Sequence, residues 1–165
     1  MKNLILLLCF FSSSLWAQNL TIVAVGEAGV EESTVVFHAD YSSLSGSDLS
    51  MAKDFVKILR DDFAFYKGTF NVLPENKTPE VDSSPNYDKL KSSGVAFAGN
   101  VTFRKDGVVY ANVQLHDVNA AKVALLKESL VTNSKLRSSA HETADALFKS
   151  VTGKDSVFES QITFI

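Results

Sequence analysis

The closing stretch, residues 136–165, constrains the fold most because it predicts two elements that each need a partner surface. Apolar side chains recur there at steps of three and four, which predicts an amphipathic helix with one face to cover. This stripe comprises Leu136, Ala140, Ala144, Leu147, Phe148 and Val151. Gly153 is the predicted helix stop, and residues 157–165 alternate with the period of two that is typical of a strand. A helix and a strand that both pack on a sheet therefore end the sequence.

The middle of the chain carries the clearest sheet signal. Residues 95–103 alternate between larger apolar side chains and small or polar ones, and a second alternating run occupies residues 108–118. Asp106 and Gly107 separate the runs, and Asp-Gly is the preferred centre of a two-residue hairpin turn in which both residues take positive φ. An apolar run at residues 122–131 adds another strand. The pattern predicts a three-stranded antiparallel meander.

Strands and helices also alternate before the meander. We predict strands at residues 19–26, 34–37 and 69–73, a long amphipathic helix at 48–65 and a short helix at 87–92. Ser47 or Asp48 is the predicted cap of the long helix. The run TVVF is apolar throughout, which predicts a strand covered on both faces. We therefore expect an α/β fold of the α+β type, with a mixed β-sheet of about five to six strands and two main amphipathic helices packed on it.

The amino terminus has the layout of a secretory signal peptide. Lys2 precedes an apolar run from Leu4 to Phe11, a small polar patch follows at Ser12 to Ser14, and Ala17 comes next, which is the usual order in a cleaved export signal. We predict a signal peptide at 1–17, a single domain at 18–165 and a periplasmic location. The only cysteine, Cys9, lies in the signal, so the mature chain would have no disulfide. No other run approaches the ~20 apolar residues of a membrane helix, so we expect no permanent membrane span.

Composition and spacing favour no catalytic or metal chemistry. The net charge is −3, without the basic clusters that nucleic acid binding requires. His38, His116 and His141 share no metal-ligand spacing. His141 and Asp145 are four residues apart, which suits an ordinary helix contact as well as an acid-base pair, and Ser45 lacks the GxSxG frame of a hydrolase. We expect no catalytic residue, no metal, no cofactor and no enzyme activity, and no nucleic acid partner.

Three stretches carry a family resemblance. In the closing stretch a histidine, an acidic residue, an aromatic residue, Thr-Gly and a later phenylalanine fall at His141, Asp145, Phe148, Thr152, Gly153 and Phe158. Residues 93–118 contain Gly99 after the start of a strand and then the Asp-Gly turn, and residues 19–26 form an opening strand. These stretches resemble the amino-terminal domain of the TolB family, the periplasmic component of the Tol-Pal envelope system. Ser156 departs from the family, which usually has a second glycine there.

The resemblance implies a non-enzymatic adaptor that serves cell envelope integrity through protein docking. In the family the mature amino-terminal segment contacts TolA, which would make Gln18, Asn19, Leu20, Thr21, Ile22 and Val23 the partner-binding residues. Such a segment binds by adding a strand to a partner's sheet, or it can serve as an edge strand of its own domain. The family contacts Pal through a β-propeller that follows the closing strand, so Pal is not an expected partner of this sequence.

Two other functions remain open from the sequence. The chain would alternatively be a stand-alone TolB-like accessory domain of another envelope or secretion complex. The other hypothesis is of a different functional class, a small periplasmic hydrolase or ligand-binding protein. Whether Ile165 is the natural end, or the point before a propeller, is also open from the residues alone.

Overall fold

The computed structural model describes residues 32–158, which form one sheet and three α-helices. In chain order the elements are β1 (Ser33–Asp40), α1 (Gly46–Phe65), β2 (Phe70–Val72), α2 (Tyr87–Ser92), β3 (Val95–Asp106), β4 (Val108–Asp117), β5 (Lys122–Val131) and α3 (Leu136–Thr152). The predicted signal peptide, the predicted strand at 19–26 and the closing strand beyond Phe158 lie outside these residues.

The sheet is mixed, as predicted, and its strand order is β2-β1-β3-β4-β5. β1 runs parallel to both of its neighbours, β2 and β3. The pairs β3-β4 and β4-β5 are antiparallel and form the predicted meander. The long connection through α1 allows β1 and β2 to be parallel, because parallel neighbours need a crossover.

Helices α1 and α3 cover one face of the sheet, and the segment 73–92 covers part of the other. Val35 and Phe37 point into the core under the helices, whereas Val36 joins a smaller core with Val81 and Leu90. The side chains of Val35, Val36 and Phe37 are each 0% exposed. The predicted strand with two covered faces is therefore confirmed, and the predicted pair of amphipathic helices shares one face.

The start of α1 differs from the prediction. The helix begins at Gly46 with Ser45 in the N-cap position, and the Ser45 side chain makes no capping hydrogen bond. Asp48, one of the two predicted caps, lies inside the first turn and accepts a hydrogen bond from Lys105 Nζ. This ion pair joins α1 to the β3–β4 hairpin. The Asp48 carboxylate therefore makes a tertiary contact and does not cap the helix.

The hairpin turn also differs in type. Asp106 pairs directly with Val108 across Gly107, so an odd number of residues forms the loop. Gly107 has φ +69°, and Asp106 is not among the residues with positive φ. The predicted two-residue turn, with positive φ at both central positions, is wrong because the register is centred on the glycine. The strands on either side are confirmed.

Candidate functional site: a cavity on the second face of the sheet

The three histidines lie in three different surroundings. His38 is half-buried on β1, His116 is fully buried on β4, and His141 is on α3 against α1. Within residues 32–158 no group of three or more His, Cys, Asp or Glu side chains is arranged to hold a metal ion. The predicted partner-binding residues, Gln18 to Val23, lie outside the described residues, so their role stays a prediction.

A cavity of about 650 Å³ opens on the sheet face that the long helices leave uncovered. The carboxyl end of β1 forms one wall, β3 forms the floor and the loop at residues 80–83 forms the other wall. Its polar lining comprises His38, Asp40, Ser42, Glu80, Asp82, Ser83, Asn100 and Thr102. The strand register explains this grouping, because His38 is paired with Asn100 and Asp40 with Thr102.

The loop that walls the cavity is anchored from the sheet. Gln114 on β4 donates a hydrogen bond from Nε2 to the Ser83 carbonyl oxygen at 3.2 Å. Val81 from the same loop is 1% exposed and packs in the smaller core. Because Gln114 is also the β4 partner of Asn100, the loop is held beside Asn100 and shields it from solvent.

The cavity is acidic. Asp40, Glu80 and Asp82 contribute three carboxylates, and none of the described residues that line it is a lysine or an arginine. The Ser42 backbone N–H donates to Asp40 Oδ1 at 2.9 Å, and this bond holds the pKa of Asp40 below its usual value. Among the described side chains, none of the three carboxylates belongs to an ion pair. The described part of the chain therefore gives these carboxylates no ion-pair partner, and within the described lining only His38 can carry positive charge.

His116 lies under α2, outside the cavity. Its Nδ1 shares a 2.9 Å hydrogen bond with the Tyr87 hydroxyl, and its Nε2 has no hydrogen-bond partner among residues 32–158. Burial lowers the pKa of His116 below its usual value, with Asp82 opposing the shift. Burial therefore disfavours the charged form of the ring, and the ring fixes α2 to the sheet through Tyr87.

His141 joins α3 to α1. Its Nδ1 shares a 2.8 Å hydrogen bond with Asp62 Oδ2, and the two side chains are 23% and 11% exposed. Burial raises the pKa of Asp62, while the hydrogen bond and charge of His141 oppose the shift. The sequence did not point to this pair, because the two residues are 79 apart in the chain. The contact supports the interpretation of His141 as a structural residue.

Replacing Asp62 with asparagine tests which of these effects dominates. A carboxylate whose pKa is raised on folding adds stability below its ordinary pKa of 3.8 and loses it as the pH rises through the folded value. We expect the free energy of unfolding of the unsubstituted chain, minus that of Asp62→Asn, to fall as the pH rises above about 4. Urea unfolding at several pH values measures it. Asp61→Asn, at the exposed neighbouring position, is the control with the same charge change. A difference that rises with pH would contradict the dominance of burial.

The described chain ends against an aromatic cluster at the far end of the helices. The ring centroid of Phe158 is 5.4 Å from that of Tyr66 and 5.8 Å from that of Phe148, and Phe158 also contacts Phe63. The Val157 N–H donates to the Tyr66 hydroxyl at 3.1 Å. The Thr-Gly stop after α3 is confirmed, since Gly153 is left-handed at φ +69°. The segment after α3 is therefore fastened to both long helices.

None of the helices within the described range is long and apolar enough to span a bilayer.

Known proteins resemble the chain in sequence and in fold, although no family model matches it. It is 31% identical to the Protein TolB homolog of Chlorobium chlorochromatii over 155 residues, which are 90% of this chain and 35% of that protein. It is 26% identical to the Tol-Pal system protein TolB of Dinoroseobacter shibae over 121 residues, or 69% of this chain and 27% of that protein. The chain thus spans about a third or less of these relatives.

A solved structure supports the same similarity at the level of the fold. The crystal structure of TolB from Acinetobacter baumannii superposes with a TM-score of 0.59 at 16% identity, covering 77% of this chain and 30% of that one. At this identity the match concerns the fold, which agrees with the sequence similarity to the curated relatives.

Proposed function

We propose that this chain, a TolB-like domain, is a non-enzymatic docking module of a Tol-Pal-type cell envelope system. The observation that carries the proposal is the 31% identity to a TolB homolog across 90% of the chain. The fold match to a TolB structure over 77% of the chain agrees with it. Because a fold alone hosts many functions, the sequence match carries more weight than the superposition.

We place the domain in the periplasm, with residues 1–17 as a cleaved signal peptide and 18–165 as the mature domain. The basis is the charged, apolar and small-residue order of the first seventeen residues. Mass spectrometry of the mature protein checks this placement, with Gln18 expected as the first residue.

The mature amino-terminal segment is the proposed contact with a TolA-like partner. Gln18 to Val23 alternate polar and apolar residues only in part, as QNLTIV, and their β-branched content suits strand addition to a partner sheet. In that mode the backbone supplies affinity, and alternate side chains supply selection. Pal is not proposed as a partner.

Recovery from envelope extracts tests the proposal. The tagged mature chain is used as bait beside a matched bait that lacks residues 18–23, and both eluates are probed for TolA and for Pal. We expect the full bait to recover TolA, the shortened bait to recover much less, and neither to enrich Pal. Recovery of proteins from another envelope or secretion complex, without TolA, would contradict the Tol-Pal assignment.

Loss of the His141 imidazole should leave the biological activity intact. Because His141 bonds to Asp62 between two helices, His141→Ala should lower protein abundance and leave function per molecule unchanged. The test is complementation of a deletion strain, scored as resistance to detergent at matched protein levels. Failure to complement at equal abundance would contradict a purely structural role and would favour an enzymatic one.

A further inference from the structure

We propose that the acidic cavity between β1, β3 and the loop at residues 80–83 binds an arginine side chain of a protein partner. This inference rests on the proposed docking function only in assigning the arginine to a protein partner. The site itself is argued from the residues that line it.

The cavity offers hydrogen-bond acceptors to a ligand. Its carboxylates belong to Asp40, Glu80 and Asp82, and the hydroxyl groups of Ser42, Ser83 and Thr102 can each accept or donate a hydrogen bond. Lys89 lines a neighbouring cavity with Glu80 and Asp82, but none of the ion pairs in the described chain joins it to either. An incoming cation would therefore meet carboxylates that have no cationic partner in the described chain.

Asn100 is the independent observation that points to a ligand. It lies on the cavity floor, and only 7% of its surface is exposed. Its backbone is paired within the sheet, but its side-chain amide makes no hydrogen bond to any residue in the described range. The amide is not among the fully buried polar atoms that lack a partner, so it is open to the cavity, and a ligand that donates to its carbonyl oxygen would replace solvent there.

The chemistry of these groups suits a guanidinium better than a metal ion or an anion. A divalent metal needs several ligands within about 2–2.6 Å of one point, and the described acidic groups are not gathered in that way. An anion would be repelled by three carboxylates. Arginine carries five N–H donors in a planar fork and no acceptor, so one side chain can reach Asn100 and more than one carboxylate at once.

The position of the cavity also suits a docked partner. It opens on the face of the sheet opposite α1 and α3, and the side chains of Asp40, Glu80 and Asp82 are exposed at its rim. Its volume of about 650 Å³ accommodates a side chain together with adjoining backbone. Charge-assisted bonds at the rim and a buried acceptor at the floor would give both attraction and selection.

Nuclear magnetic resonance titration of the purified ¹⁵N-labelled chain tests the site. The probe is N-acetyl-L-arginine amide, and N-acetyl-L-citrulline amide is the control because it has a similar shape without the charge. We expect saturable shifts of backbone amides at residues 38–42, 80–83 and 100–102 with the arginine probe. The affinity for the citrulline probe should be lower by a factor of at least about ten.

Two triple variants separate the cavity from general charge. Asp40→Asn, Glu80→Gln and Asp82→Asn together neutralise the cavity, whereas Asp54→Asn, Asp61→Asn and Glu142→Gln neutralise three exposed carboxylates on α1 and α3. We expect the first set to weaken arginine binding by about tenfold or more and the second to change it by less than about twofold. Glu80→Lys, at an exposed loop position, is a further variant with the same expected loss if the first set disturbs folding.

The outcomes are distinct. The absence of saturable shifts, equal binding of citrulline, or equal loss in both triple variants would overturn the arginine site. If arginine binding fails while TolA is still recovered from extracts, the cavity assignment is wrong and the docking function stands. If arginine binds as expected while TolA is not recovered, the docking assignment is wrong and the cavity remains an arginine site.

Discussion

Phe63→Ala is expected to lower the free energy of unfolding by about 3–5 kcal/mol, as large-to-small changes in a packed aromatic core do. Phe63 on α1 is 0% exposed, and its ring contacts Phe37, Phe70, Phe148 and Phe158 at centroid distances of 5.2–6.5 Å. The alanine would remove contacts to β1, β2, α3 and the segment after α3 together. Since domains of this size are stable by only about 5–15 kcal/mol, the loss would be a large fraction of the total.

Phe65→Ala is the matched control for this change. Phe65 is two residues further along α1, and 68% of its surface is exposed. Its replacement should change stability by less than about 0.5 kcal/mol. Urea unfolding followed by circular dichroism measures both variants. Equal effects would contradict the arrangement in which Phe63 joins the two helices to the sheet.

Gly99→Ala is expected to lower the free energy of unfolding by about 1–3 kcal/mol through overpacking. A Cβ at residue 99 would lie 2.5 Å from Phe37 Cδ1 and 2.9 Å from Cε1. Phe37 is 0% exposed and its ring is held edge-on against Phe63, so it has little room to move away. β3 needs a glycine at this point because the neighbouring strand places an aromatic ring directly over it.

A double mutant separates the clash from a general loss of strand propensity. Phe37→Ala removes the ring atoms that a Cβ at residue 99 would meet, so Gly99→Ala should cost less in the Phe37→Ala background than in the unsubstituted chain. The coupling energy should exceed about 0.5 kcal/mol in that direction. Additive effects from urea unfolding would show that the cost comes from something other than this contact.

Local patterns in the sequence predicted the elements that depend on near neighbours. α3, β5 and α2 begin or end at the predicted residues, because their apolar periodicity and glycine stops are local signals. The Asp-Gly pair located the hairpin, but the φ angles of the turn follow from the strand register and so were predicted wrongly. The cap of α1 was predicted wrongly because Asp48 binds Lys105, 57 residues away.

The candidate site depends on contacts that no local pattern contains. Asn100 is one of the small or polar residues in the alternating run 95–103, and on an isolated strand such a residue would face solvent. Its burial comes from the loop at residues 80–83, which Gln114 holds in place. The Asp62–His141 pair likewise requires α1 and α3 to lie side by side. These are the features that the sequence, taken alone, did not reveal.

Direct binding between the purified mature chain and the purified periplasmic part of TolA from the same bacterium is the measurement that bears most closely on the proposed function. Isothermal titration calorimetry should show saturable binding to the mature chain and a large loss of affinity when residues 18–23 are removed, while Phe65→Ala leaves binding unchanged. The absence of binding by a folded mature chain would contradict a Tol-Pal docking role.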